Sequence, residues 1–344
     1  VFNSVILGDT DGVTANKYTL SVKRSYEVKA DMNEVELPPP SQDELVQQMK
    51  DYLNVYFKNS PVVKEKWGDD YTYHPGGFEC IEWGFVDCGL NDGYVEFTEE
   101  QKENIKHNWS KFLDGLREYL KENPVPNNDF KSTTYGEILL AMTAMGYNPD
   151  DFKELDIIGE ISRNDFGTDG MYMGTPRGII AMDSGGYEYK EGSDYRSWRP
   201  VVEEFNEEPI ELSPQTTVND FTTMYAQPYI PYYNPDAKEG DPEYKIKLYF
   251  DNFIEQLSIA QHSDGRFGNV WTTDQVVILL AGLGVDLTTD SRFIKNGHTP
   301  LEIILRTLDT EAGEISGNLK HQHAQAVMSM LKVLDGRKNI ETFL

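Results

Sequence analysis

One phrase recurs along this chain, and it restricts the available folds more than any bulk property. It is plainest at Trp271-Thr-Thr-Asp-Gln275-Val-Val-Ile-Leu-Leu-Ala-Gly-Leu-Gly284-Val-Asp286. A degraded copy runs Thr133-Thr134-Tyr-Gly-Glu137-Ile-Leu-Leu-Ala-Met-Thr-Ala-Met-Gly146-Tyr-Asn148. In both, a threonine stands where a helix N-cap is expected and Glu or Gln follows at the third helical position. An apolar run comes next, and a glycine stands where the chain must leave the helix in a left-handed conformation. Further copies read at Gly174–Asp183, at His323–Gly336 and, more weakly, at Thr217–Tyr233. The runs are apolar on nearly every side, so helices built from them must be surrounded by protein.

The segments between the copies are amphipathic. Ser41-Gln-Asp-Glu44 is a capping box, and it predicts a helix over Asp43–Lys58 with Leu45, Met49, Tyr52, Leu53 and Tyr56 on one stripe. A second helix is expected over about Glu79–Cys88, stopping at Gly89. Thr98 and Gln101 cap a third that runs to Lys121. The unit is therefore a helical hairpin, repeated at roughly 40–50 residues, a period that means a solenoid or a closed ring. All-round apolar helices favour closure, with buried helices inside and amphipathic ones outside.

Residues 1–37 read differently. Ser4-Val-Ile-Leu, Tyr18-Thr-Leu-Ser-Val and Ser25-Tyr-Glu-Val carry strand patterns, with Gly8 and Asp11-Gly12 as turn signals. Pro38-Pro-Pro40 is a stiff linker. The division expected is a β extension and linker over 1–40 and a helical domain over 41–344. The extension either packs on the helical body or is the tail of a β-domain lying upstream. The chain starts at Val1 rather than Met, and reads as a piece of a longer protein.

The formal charge of −27 argues against a nucleic-acid partner, because a surface this acidic repels phosphate. No stretch approaches the ~20 apolar residues of a membrane span. Cys80 and Cys88, if on one helix, stand too far apart for a disulfide and read as buried thiols.

Leu257-Ser-Ile-Ala-Gln261-His-Ser-Asp-Gly265-Arg-Phe267 is similar to the Q-x-x-x-G-x-W repeat of squalene cyclases and protein prenyltransferase β-subunits, with Phe in the Trp place. Glu82-Trp83, Leu140-Ala-Met-Thr-Ala-Met-Gly146, Ile180-Ala-Met-Asp-Ser-Gly185 and Asp290-Ser-Arg-Phe-Ile-Lys-Asn-Gly297 make 41–344 resemble the bacterial cell-surface proteins carrying that prenyltransferase/squalene-oxidase repeat. The resemblance implies an α/α toroid of about six hairpins, a secreted or surface-attached setting and kinship with the α-barrel of transcobalamin. One fold hosts many functions, so it implies no single activity.

The activities known on such rings leave thin traces. Alkene protonation in the cyclases uses clustered carboxylates that raise one another's pKa; here the matching phrase, Val218-Asn-Asp220-Phe-Thr222, keeps only Asp220. Asp220 is either a lone acid or a helix-start residue. Prenyltransferases hold zinc with Asp, Cys and His. His321-Gln-His323 stands near the place of the family's His, yet no Cys stands near Asp264 or Asp274, and His at i and i+2 point to different faces. Zinc is therefore not expected. A glycan-cleaving pair would draw on Asp165, Asp169, Asp183, Asp220 and Asp264. Phe166, Tyr172, Tyr187, Tyr195 and Trp198 stand among Gly, Asp and Ser. These loop aromatics either form a ligand-binding mouth or seal an end of the ring. The reading is a non-catalytic binding or interaction module for a small ligand or surface protein, with no cofactor of its own. A corrinoid is one ligand that the transcobalamin kinship implies. The alternatives are an enzyme, either terpenoid-cyclase/prenyltransferase-like using Asp220 or carbohydrate-active, and a structural spacer.

Overall fold

The computed structural model describes residues 40–75, 81–125, 132–163, 174–190, 218, 220–309, 311–316 and 320–336. These belong to one unit of the chain, Pro40–Leu344. They are mostly helical, and their one sheet is a two-stranded antiparallel pair, β1 (Leu308–Asp309) and β2 (Glu314–Ile315). The strands expected within 1–37 lie outside the described residues.

The amphipathic segments form as their patterns predict. Helix α1 (Gln42–Asn59) opens on the capping box: the Ser41 backbone N–H donates to Glu44 Oε2 at 2.7 Å, and the Glu44 N–H to Ser41 Oγ at 3.3 Å. Leu45, Met49, Tyr52, Leu53 and Tyr56 are buried along one face. The short helix α2 (Pro61–Lys64) is tied to α4 (Glu99–Glu122) by two asparagines. The Asn104 amide donates to the Val63 carbonyl at 3.0 Å, and the Asn108 amide to those of Val62 and Glu65 at 3.1 and 2.8 Å. Carbonyls that a four-residue helix leaves unpaired are thus satisfied from its neighbour.

The recurrent phrases become α5 (Ser132–Ala144), α7 (Gly174–Ser184), α10 (Val270–Gly282) and α12 (Lys320–Leu334). Thr272 to Ala281 of α10 are all buried. Gly146, Gly284 and Gly336 leave their helices at φ +63°, +78° and +69°, the left-handed exit that the pattern demands. The threonines, however, are not caps. Asn269 caps α10, its Oδ1 accepting from the Thr272 N–H at 2.8 Å. Thr273 sits inside the first turn, where its hydroxyl accepts from the Phe267 N–H at 3.0 Å and pins the preceding loop. The weakest copy gives a short helix, α8 (Asp220–Ala226), followed by a 3-10 segment, Gln227–Tyr232; Pro228 and Pro231 cannot donate to a continued α-helical ladder.

Helix α3 (Ile81–Leu90) runs past Gly89 rather than stopping there. A Cβ on Gly89 would lie 2.8 Å from that of Ala144, so this glycine serves close packing of α3 on α5. The chain turns instead at Asp92-Gly93, with φ +43° and +86°. Between the phrases lie α6 (Ile157–Arg163), α9 (Tyr244–Ala260) and α11 (Pro300–Leu305). Helix α3 packs on α5, α5 on α7, α7 on the 3-10 segment, that segment and α8 on α10, α10 on α12, and α12 on α3. Helix α1 lies against α12, α2 and α11.

Gln261 explains the loop phrase physically. Its amide donates to the Gly265 and Phe293 carbonyls at 2.9 and 3.0 Å. Gly265 has φ +94°, and a Cβ there would meet the Thr299 carbonyl oxygen at 2.7 Å. Phe267 is fully buried behind it.

Candidate functional site

Polar side chains inside an apolar helix are costly unless paired, so they mark where a helix interior does something other than pack. Four of the surrounded helices carry them. On α3 these are Glu82 and Asp87, on α5 Glu137, on α10 Asp274 and Gln275, and on α12 His323 and Gln325, all buried.

Asp274 and His323 form a buried pair, with Nδ1 2.6 Å from Oδ2 and relative exposures of 0% and 2%. The second Asp274 oxygen, Oδ1, has no hydrogen-bond partner among the described residues. Burial pushes the Asp274 carboxyl up to about 6, against the pull of His323 toward ionisation. Two residues along α12, the Gln325 amide donates to Asp87 Oδ1 at 2.9 Å. The Tyr56 hydroxyl, reaching in from α1, donates to Asp87 Oδ2. Burial raises Asp87 to about 7 despite both donors.

At the start of α3, Glu82 accepts from the Tyr73 hydroxyl at 2.6 Å. Burial first, and the neighbouring Glu137 second, lift Glu82 to about 7. Beside it, the Trp83 ring is parallel to the His321 imidazole, with centroids 5.7 Å apart, and the Arg177 guanidinium stands 4.1 Å from the Trp83 centroid. Arg177 reaches α3 from α7 across Gly136 of α5, where a Cβ would lie 3.1 Å from Arg177 Cβ. Burial, and then Arg177, push His321 down to about 3, so its ring is neutral.

No protein-family model matches the chain, and no curated protein matches it.

The residues singled out from sequence divide. Asp220 is the first residue of α8; its side chain lies outside the described residues, as do Phe166, Tyr172, Tyr195 and Trp198. Tyr187 is half-buried, its hydroxyl 3.0 Å from Thr143 Oγ1, which ties the end of α7 to α5. Asp264 sits at the Gly265 turn, bound to the Arg266 N–H and guanidinium. His321 and His323 do face different partners, Trp83 and Asp274. The zinc that prenyltransferase kinship would imply needs three or four ligands. Asp274 and His323 supply two, already bonded to each other, and no group of three or more His, Cys, Asp or Glu suited to a metal occurs among the described residues. The donor set does not fit that ion.

Asp87 is not singled out by the sequence patterns, and Glu82 and Gln325 stand in them only as parts of recurring phrases, with no role of their own. Their signal was present: single acids or amides inside the apolar runs of α3 and α12, where an unpaired polar group would be expensive.

Away from these groups, a cleft of about 660 Å³ opens between α9 and the turn after α10. Its apolar walls include Tyr233, Ile254, Leu283 and Val285, and Arg292 lies at its rim. Arg292 is engaged by Asp290 at 2.7 Å and Glu255 at 2.9 Å. Among the described residues, no helix is long and apolar enough to cross a membrane.

Proposed function

We propose that residues 41–344 form an α/α toroid acting as a non-catalytic binding or interaction module of a secreted or cell-surface bacterial protein. The succession of inner-helix neighbours, which leads from α3 round to α12 and back, supports the ring. The observation that carries the non-catalytic reading is the commitment of two interior acids to partners within the protein, Glu82 to Tyr73 and Asp87 to Tyr56 and Gln325. Acid–base chemistry needs a group free to reach a substrate. The cleft beside α9 has a volume suited to a small ligand and is the binding place proposed here. A corrinoid, a polyprenyl chain and a glycan are the ligand classes to test.

Thermal unfolding against that panel tests the reading. A ligand at about 100 times its Kd adds roughly 2.7 kcal/mol, a rise of a few degrees for a domain of this size. Thr289→Trp, at the exposed cleft rim, should abolish the rise. A rise that survives this change places the ligand elsewhere, and no rise with any class favours the spacer reading.

One observation favours an enzyme as the second reading. Asp274 Oδ1 is unpartnered beside His323, an arrangement able to hold or accept a proton. Turnover of squalene, polyprenyl diphosphates or glycans that disappears in Asp274→Asn would establish it; turnover lost only in Asp220→Asn would select the acid expected from sequence.

A further inference from the structure

We propose that the face where α3, α10 and α12 end is a docking groove for a basic, extended polypeptide segment of a partner protein; this rests on the binding-module reading and names the partner of the cleft beside α9.

Two clefts lie side by side there. The one beside α9 has a volume of about 660 Å³ and apolar walls from α9 and the turn after α10. A second, of about 410 Å³, lies between α1, the Asp92-Gly93 turn and the end of α12, with Val46, Leu331 and Leu334 as its apolar wall. Gln42 joins the two. It lines the second cleft, and its amide donates to Thr288 Oγ1 at 2.9 Å and to Asp286 Oδ2 at 3.3 Å. Asp286 is itself a wall of the first cleft. An occupant of both must set apolar groups down on either side of this polar saddle. An extended polypeptide does so with alternate side chains; a small amine does not.

Charge selects a basic segment. Asp251, Glu255, Asp286 and Asp290 line the first cleft with one cation, Arg292, which Asp290 and Glu255 already hold. In the second cleft three carboxylates stand against Lys50. Asp286 is served only by hydroxyl, amide and backbone N–H donors, from Thr288, Thr289 and Gln42. Asp43 stands exposed on the first turn of α1. Neither pairs with a lysine or arginine among the described residues. The backbone adds to this. The ends of α3, α10 and α12 open on the clefts, and a helix C-terminus carries a partial negative charge. The opposite charge at the start of α1 is met by the Glu44 carboxylate of the capping box. A cleft lined by one sign of charge between apolar walls concentrates the field. Cations are drawn to it, and nucleic acid and anionic lipid are repelled.

Fluorescence anisotropy on the whole chain is the test, with a labelled dodecapeptide of the repeat Lys-Leu-Ser and its Glu-Leu-Ser counterpart. The lysine peptide should bind and the glutamate peptide should not. D43N/D286N should weaken the lysine peptide about fivefold, the effect of two exposed charge pairs. E118Q/E122Q removes the same charge from the end of α4 and should leave the affinity unchanged. Equal loss in the two variants, as any acidic surface would give, overturns the proposal. So does an unweakened D43N/D286N, equal binding of the two peptides, or no binding of the lysine peptide. If D43N/D286N does not fold, Asp43→Lys, at an exposed position, decides: weaker binding is expected, and unchanged binding overturns the groove. A corrinoid, polyprenyl or glycan ligand that raises the unfolding midpoint while the lysine peptide stays unbound overturns the partner and leaves the binding module standing. If none of these and no lysine peptide binds, both readings fall.

Discussion

Nδ1 of His323 lies 2.6 Å from Oδ2 of Asp274, with both side chains sealed from solvent. The pair joins α12 to α10 at the point where the last surrounded helix meets its neighbour. Its value is conditional: buried pairs add little over a well-packed apolar alternative, but removing one partner is expensive.

His323→Ala should therefore cost about 3–5 kcal/mol of stability. H323L/D274L should cost less than the sum of its single changes, because it leaves no widowed charge. Urea unfolding of the four proteins gives the coupling, expected at roughly 0.5–3 kcal/mol; additive losses would mean that the contact carries no energy.

Stability should fall as pH rises from about 4.5 to 7. Glu82, Asp87 and Asp274 are raised in the folded chain to about 7, 7 and 6, while unfolded carboxyls titrate near 4. In that window the unfolded state has lost protons that the folded state keeps, so each group lowers stability by about 1.4 kcal/mol per pH unit until its folded value is passed. His321, lowered to about 3, works the other way between about 3 and its unfolded value near 6.5. Three groups outweigh one. Unfolding midpoints measured across pH 4.5–8 should show the decline, and Glu82→Gln, which keeps an acceptor for Tyr73, should flatten it.

Two glycines with similar backbone angles should respond differently to alanine. Gly284, at φ +78°, has open space where a Cβ would go, so Gly284→Ala should cost only the left-handed penalty of about 1–2 kcal/mol. Gly265, at φ +94°, would also drive its Cβ to 2.7 Å from the Thr299 oxygen. Gly265→Ala should cost clearly more, and equal losses in thermal unfolding would contradict the close approach.

Asn108→Ala removes the side chain that serves the Val62 and Glu65 carbonyls and the Trp67 N–H. A loss of about 2–3 kcal/mol is expected from buried groups left unsatisfied. The change should raise protease cleavage in 61–70 before it affects α9 or α10.

The helices were legible in the sequence where period and caps agreed. Ser41 and Thr98 cap as their spacing predicts, and Gly146, Gly284 and Gly336 end helices. Gly89 misled because a glycine at a helix–helix contact looks the same in sequence as one at a helix end. Thr272 misled because the helix starts earlier, with Asn269 as its cap accepting from the Thr272 N–H. Helix α9 carries buried Ile246, Phe250, Phe253 and Leu257, a helical spacing that is visible in the sequence ahead of the Gln261 phrase. The interior acids were legible only as oddities. Which partner each one meets depends on helices far apart in the chain, as with Asp87 and Gln325, and local pattern carries no such information.

The central claim is that the chain of helix contacts closes into a ring. Tyr94 Oη lies 3.1 Å from Asp335 Oδ2, which brings the end of α3 beside the end of α12. Spin labels on cysteines placed at Asp92 and Lys50, both on the groove these ends share with α1, and at Gly336 beyond α12 provide the measurement in solution. The ring predicts one short, narrow distance for 92–336 and another for 50–336. Long or broad distributions for both pairs, as an open superhelix would give, contradict it.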